Sequence, residues 1–234
     1  MQSSLLNEVL ENHQKDFHPV VPFDSTKDVL LPFDFTSDNR ELTDDILNDT
    51  KNFSFWVNEK LASANALYGV GGYNEHRTVY SVSNVFDGEN PGDEPRRLHL
   101  GIDIWGKPQT AVMAPLDGIV HSFAFNNRFG DYGATIILSH LLDGISFYTL
   151  YGHLSLSCIK NIQEGDRIGK GDMFAEFGLP SENGQWPPHL HFQIISEIEN
   201  YKGDYPGVCK FSEKEKWLGN SPDPDVILQL NRFQ

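Results

Sequence analysis

Residues 98–104 read LHLGIDI, and the alternation within them decides the fold class. In an extended strand, successive side chains point to opposite faces. Leu98, Leu100, Ile102 and Ile104 then share one face, while His99, Gly101 and Asp103 share the other. A helix would also bring His99 and Asp103 onto one side, but it would scatter the four aliphatics around its cylinder. The stretch therefore reads as a strand that presents an imidazole and a carboxylate with a side-chain-free glycine between them.

Working outward, PPHLHFQII at 187–195 puts His189 and His191 on one strand face and Leu190, Phe192 and Ile194 on the other. Two residues two apart converge on one site only from a strand, because on a helix they point in nearly opposite directions. FYTLYGHLS at 147–155 likewise places Thr149, Tyr151 and His153 on one side. Neutral imidazoles and a carboxylate are suitable zinc ligands, and a hydrolytic site needs three of them with a fourth position for water. His99, Asp103 and one member of the His189/His191 pair meet that count. The remaining histidine and His153 are then free to move protons or bind a developing oxyanion. His13, His18, His76, His121 and His140 lack a comparable setting and read as structural or exposed.

The surrounding chain supports a β-rich domain with an N-terminal extension. Short apolar runs broken by Gly, Asp and Asn follow Leu98, with Leu142-Asp143-Gly144 as a hairpin turn. Residues 201–224 read as an ordered loop. Upstream, Leu5, Leu6, Val9 and Leu10 predict a short helix, the Pro-containing VVPF and VLLPFDF an extended arm. A second helix is predicted around Thr43–Ala66, ended by Gly69, Gly71 and Gly72. The division expected is 1–80 as a helical and extended segment packing on the main domain, and 81–234 as the β catalytic domain, with its motifs in 95–200.

Among the 234 residues, 33 are acidic and 18 basic, for a net charge of -15, and the first 95 residues hold 17 acidic and 6 basic side chains. Nucleic-acid binding draws on clustered Lys and Arg, so this balance excludes a polyanionic partner. No apolar stretch is long enough to span a membrane, and no basic-then-apolar leader opens the chain, so a cytoplasmic location is expected. Cys158 and Cys209 read as free thiols.

HLGID at 99–103, YGHLS at 151–155 and PHLHF at 188–192 together resemble the motifs of the M23 metallopeptidases, the lysostaphin and LytM type, and APLDGIV at 114–120 resembles the turn after their first ligand strand. The resemblance implies an antiparallel β-sheet-rich fold, a duplicated hybrid motif, here with an N-terminal α-helical extension. It also implies one zinc ion held by His99, Asp103 and His191, with His153 and His189 as the catalytic pair. The implied activity is cleavage of a peptide substrate, glycine-containing or peptidoglycan-like, by a zinc-bound water. Because a segment upstream of the first motif can cover the site in that family, Asn74, His76 and Arg77 in GGYNEHR are candidates to meet substrate or metal; Tyr151 is a further substrate-binding candidate.

Other classes compete with this reading. AVMAPLDGIV also resembles hybrid-motif carriers that use phosphohistidines, although a carboxylate four residues after His99 has no role there. Two histidines and a carboxylate also make the facial triad of non-haem iron oxygenases, which do not require His153 and His189 nearby. A binding module with a degenerate site is a further alternative, but every expected ligand is present.

Overall fold

The computed structural model describes residues 2–88, 90 and 92–233. Helix α1 (Gln2–Asn12) precedes strand β1 (Leu30–Phe33), and helices α2 (Asp44–Leu47) and α3 (Thr50–Ser63) connect β1 to β2 (Tyr68–Gly71). Strands β3 (Arg96–His99), β4 (Ile102–Trp105), β5 (Ala111–Met113), β6 (Gly118–Asn126), β7 (Gly133–Leu142) and β8 (Ile145–Leu154) follow. The chain closes with β9 (Arg167–Ile168), β10 (Met173–Glu176), β11 (His189–Ile195), β12 (Val208–Lys210), α4 (Lys214–Asn220) and α5 (Asp225–Leu228).

Eight strands form one sheet in the order β1-β2-β4-β11-β8-β7-β6-β9, and two-stranded sheets β10-β5 and β12-β3 flank it. The architecture is the mainly β, antiparallel one expected, with one parallel pair among the described residues, β1 and β2. Pro32 fits within β1 because that strand lies at the sheet edge, where a missing N–H leaves no partner unpaired. The extended arm thus becomes an edge strand. Asp143 and Gly144, both with positive φ (48° and 80°), make the two-residue turn between β7 and β8.

On one sheet face Ile102, Ile104, Ile136, Leu138, Leu190, Phe192 and Ile194 build the main core, all essentially inaccessible to water. Burying each such side chain stabilises the fold by roughly 1.5–3 kcal/mol before entropy is counted. Over the other face α3 packs Phe53, Val57 and Leu61, spaced four apart, with Phe33, Phe35 and Trp105. Asp49 caps α3 by accepting from Lys51 N at 2.7 Å and Asn52 N at 3.0 Å.

Three local expectations are corrected. The helix predicted over 43–66 is two helices, and it ends at Ser63 with Asn65 in the left-handed region (φ 50°) rather than at the glycines. Gly69 and Gly71 are strand residues; a Cβ on Gly69 would come within 2.5 Å of the Phe33 ring. Residues 201–224 contain β12 and α4 instead of loop alone. LHLGIDI is not one strand but the end of β3 and the start of β4, so Leu98 and Leu100 pack with Cys209, whereas Ile102 and Ile104 enter the main core. Both cysteines are free thiols.

Candidate metal centre and cleft

One row of the sheet organises the site. Gly71, Asp103, His191 and Gly152 are successive register partners across β2, β4, β11 and β8. The row above it, Val70, Ile104 and Leu190, faces the core. The polar face therefore carries Asp103 and His191 side by side, and the turn at Leu100-Gly101 swings His99 in from β3. Gly101 has to be a glycine: a Cβ there would lie 2.5 Å from His191 Cε1 and 2.8 Å from the Phe192 carbonyl.

His99 Nε2, His191 Nδ1 and Asp103 Oδ1 form a triangle with sides of 2.9, 3.0 and 3.3 Å. Tetrahedral zinc with bonds of about 2.0–2.1 Å separates its ligand atoms by roughly 3.3 Å, so the triangle fits such an ion with small adjustments. The protonation pattern fits too. His99 Nδ1 donates to the Gly72 carbonyl at 2.9 Å, and His191 Nε2 donates to Gln193 Oε1 at 3.0 Å. Each ring is thereby left with its lone pair on the converging nitrogen, the outer-sphere arrangement that metal-binding histidines require. Three acceptors with no donor among them are satisfied by a cation.

Asp103 is oriented from behind. Buried Arg77 donates from Nη1 to Asp103 Oδ2 and from Nε to Glu75 Oε2 at 2.5 Å, leaving Oδ1 for the centre. Burial pushes the Asp103 carboxyl up, but the neighbouring His99 and the Arg77 guanidinium outweigh it and hold it well below the usual range. Burial, with Arg77 and against Asp103, pushes His99 down to about 4, so the ring is neutral at pH 7.

The second histidine pair stands beside the triangle, the His153 and His189 rings 4.0 Å apart. Each Nδ1 donates 2.8 Å to a backbone carbonyl, Asn183 O for His153 and Pro187 O for His189. Trp105 stacks on His189 at 3.8 Å. Burial lowers both, His189 to about 4. Both line a cleft of about 290 Å³ together with Asp103 and His191.

The structure thus brings together His99, Asp103, His191, His153 and His189. Arg77 also lines the cleft, yet it is committed to Asp103 and Glu75. The placement of three other residues is corrected. Tyr151 does not share a side with His153: it is fully buried in the core against Phe192 and Phe174, hydrogen-bonded to Thr149. The cause is a register shift between β7 and β8, where His153 adopts φ 63° and breaks the alternation. His76 is exposed with its ring against Phe211, because its backbone bridges Leu98 and the neighbouring Arg77 takes the inward face. Asn74 is exposed as well; its backbone N–H donates to the His99 carbonyl, and its side chain does not line the cleft.

Residues the sequence reading missed are Trp105, Gln193, Tyr132 and Gly72. Trp105 and Gln193 each lie two positions beyond a ligand on the same strand, so alternation alone could have found them. Tyr132, packed 5.2 Å from His191, and Gly72 lie just outside the strands and carry no periodic signal.

Residues 97–203 match the family model described as Peptidase family M23. This stretch is similar to the M23 peptidases. Over 99 residues the chain is 34% identical to an uncharacterized metalloprotease of Haemophilus influenzae, a match covering 42% of this chain and 18% of that protein. Over 126 residues it is 29% identical to the L-Ala–D-Glu endopeptidase of Bacillus subtilis, covering 52% and 36%. The chain thus spans about a third or less of the length of these curated relatives. Among solved structures, the catalytic domain of the antimicrobial peptidase lysostaphin from Staphylococcus simulans aligns with a TM-score of 0.42 at 23% identity, over 75% of this chain and 97% of that one. The matched stretch holds His99, Asp103 and His191, the three converging groups, and both members of the histidine pair.

Proposed function

We propose that this protein is a zinc-dependent endopeptidase in which His99, Asp103 and His191 hold one metal ion and His153 and His189 carry protons. The observation behind the reading is the triangle of lone pairs, with sides of 2.9, 3.0 and 3.3 Å, set beside two neutral histidines in one cleft. A zinc ion bound there would polarise a scissile carbonyl and lower the pKa of water to about 7. The protein side of the reaction follows from tautomers. With Nδ1–H tied to the Asn183 and Pro187 carbonyls, Nε2 of His153 and His189 is the basic nitrogen on each ring. One Nε2 accepts the proton that water releases as it attacks the carbonyl, holds it as an Nε2–H beside the charge developing on the oxygen, and returns it to the departing amine; the second neutral ring offers its Nε2 as a hydrogen-bond acceptor that orients the water.

The substrate class this reading favours is a peptide, glycine-containing or peptidoglycan-like. Support comes from the similarity to the M23 peptidases and from relatives bearing the names metalloprotease and L-Ala–D-Glu endopeptidase. Elemental analysis of the purified protein, paired with hydrolysis of a peptide panel by wild type and His189→Ala, tests it. Stoichiometric zinc in both, with turnover only in wild type, is the expected result; a protein that binds no divalent metal sinks it.

A further inference from the structure

Three arginines line the cleft: Arg77, Arg96 and Arg128. Arg77 is neutralised by Asp103 and Glu75, and Arg128, largely exposed, by Asp131 at 3.1 Å. Arg96 differs. Its Nη2 donates to the Val85 carbonyl and its guanidinium lies 6.0 Å from the Phe86 ring centroid, so both partners are neutral. Among the described residues no carboxylate pairs with it. Asp204 lies on the same stretch of cleft, near enough for its charge to be felt, but forms no ion pair with it.

That vacancy of charge is informative in a chain with 33 acidic side chains against 18 basic ones. A half-buried guanidinium gains from a carboxylate partner, and an acid surplus this large offers many. The flanking wall of the cleft is apolar, formed by Val79, Val85, Phe86 and Trp186, all within the apolar cluster of Phe53 and Trp105 or packed on it. An ion pair formed against such a wall is screened less than one in open water. A fork of N–H donors also matches the geometry of a carboxylate.

We infer that Arg96 is a binding residue for a substrate carboxylate, so that the cleft selects peptides that present one beside the site. The inference rests on the endopeptidase reading for the direction in which substrate lies, but not for the contact itself. The carboxylate is either an acidic side chain or a chain terminus, and the two are separable.

The test uses the zinc-loaded full chain and labelled glycine-alanine hexapeptides carrying one Glu or one Gln, each with a free or an amidated C-terminus. Affinity is read by fluorescence anisotropy on His189→Ala, and kcat/KM on wild type. The expected result is at least a tenfold tighter Kd for one carboxylate over its amide, Glu over Gln if the side chain is read and free over amidated if the terminus is. Arg96→Gln in either background should abolish that preference, Arg96→Lys should keep part of it, and Arg128→Gln should keep it. Melting temperatures identify any variant that is not folded, in which case the wild-type peptide pairs and Arg96→Lys decide. Equal affinity for carboxylate and amide in both pairs overturns the inference, as does a preference lost in Arg128→Gln but kept in Arg96→Gln. Carboxylate-selective binding without any cleavage would sink the endopeptidase reading and leave this one standing. Cleavage with indifferent affinity would do the reverse, and failure of every peptide to bind would end both.

Discussion

Arg77 and His99 meet on opposite sides of one carboxylate: Nη1 of Arg77 donates to Asp103 Oδ2, while Asp103 Oδ1 faces His99 Nε2 at 3.3 Å. The guanidinium fixes which oxygen is offered to the centre. Replacing Arg77 with Met removes that constraint and leaves Asp103 and Glu75 without their buried counter-charge. Removing one member of a buried pair typically costs about 3–5 kcal/mol, and loss of an outer partner lowers metal affinity roughly 10–100-fold. Thermal melts and a competition with a chelating dye read the two effects separately. Wild-type zinc affinity in Arg77→Met would show that Asp103 is oriented by something else.

Gly101 is the point where β3 and β4 part, and the space a Cβ would occupy belongs to the His191 ring. Gly101→Ala should therefore displace His191 from the triangle and weaken zinc binding by about tenfold or more, with turnover falling in parallel. A crystal structure of Gly101→Ala with His191 unmoved and zinc at full occupancy would contradict this.

Tyr151 offers a control in the opposite sense. Its hydroxyl lies 3.1 Å from Thr149 Oγ1 inside the core and does not reach the cleft. Tyr151→Phe should cost about 1 kcal/mol of stability and leave KM and kcat at wild-type values. A change in KM would return Tyr151 to the substrate path.

His140 supplies a pH dependence separate from the metal centre. It is buried, accepts at Nε2 from the Thr149 hydroxyl at 2.7 Å, and donates from Nδ1 to the Asp117 carbonyl; burial lowers its pKa to about 4. The unfolded chain takes up this proton near pH 6.5 and the folded chain only near 4. Protonation thus favours unfolding, so the stability is complete above about pH 6.5 and is lost as pH falls toward 4, by up to about 3 kcal/mol. Urea melts of the zinc-free protein across that range should show a flatter loss in His140→Gln than in wild type. Parallel curves would exclude His140 as a source.

Much of the site was legible because strand alternation is local. His189, His191 and the aliphatics between them could be assigned to faces from HLHFQ alone, and the structure pairs them in that register. LHLGIDI brought His99 and Asp103 together by a partly wrong route: the strand breaks at Gly101, and the two side chains meet because the chain bends back between them. Tyr151 was misplaced for the converse reason, since nothing in FYTLYGHLS announces the left-handed backbone of His153. The role of Arg77 could not be read from spacing either, because its partners Glu75 and Asp103 are brought together by the fold. The parallel pairing of β1 with β2 depends on contacts between residues nearly forty apart, which periodicity does not encode.

The carbonyl of Gly72 accepts from His99 Nδ1 at 2.9 Å and from Arg77 Nη2 at 3.3 Å, and it lies well upstream of residue 97, where the family match begins. A minimal fragment trimmed to that match would keep all three ligands and yet surrender the acceptor that fixes the His99 tautomer, the guanidinium behind Asp103 and the strand bordering β4. Anyone shortening this protein for expression would be cutting into the scaffold of the proposed metal centre from a part of the chain that contributes none of the three converging atoms.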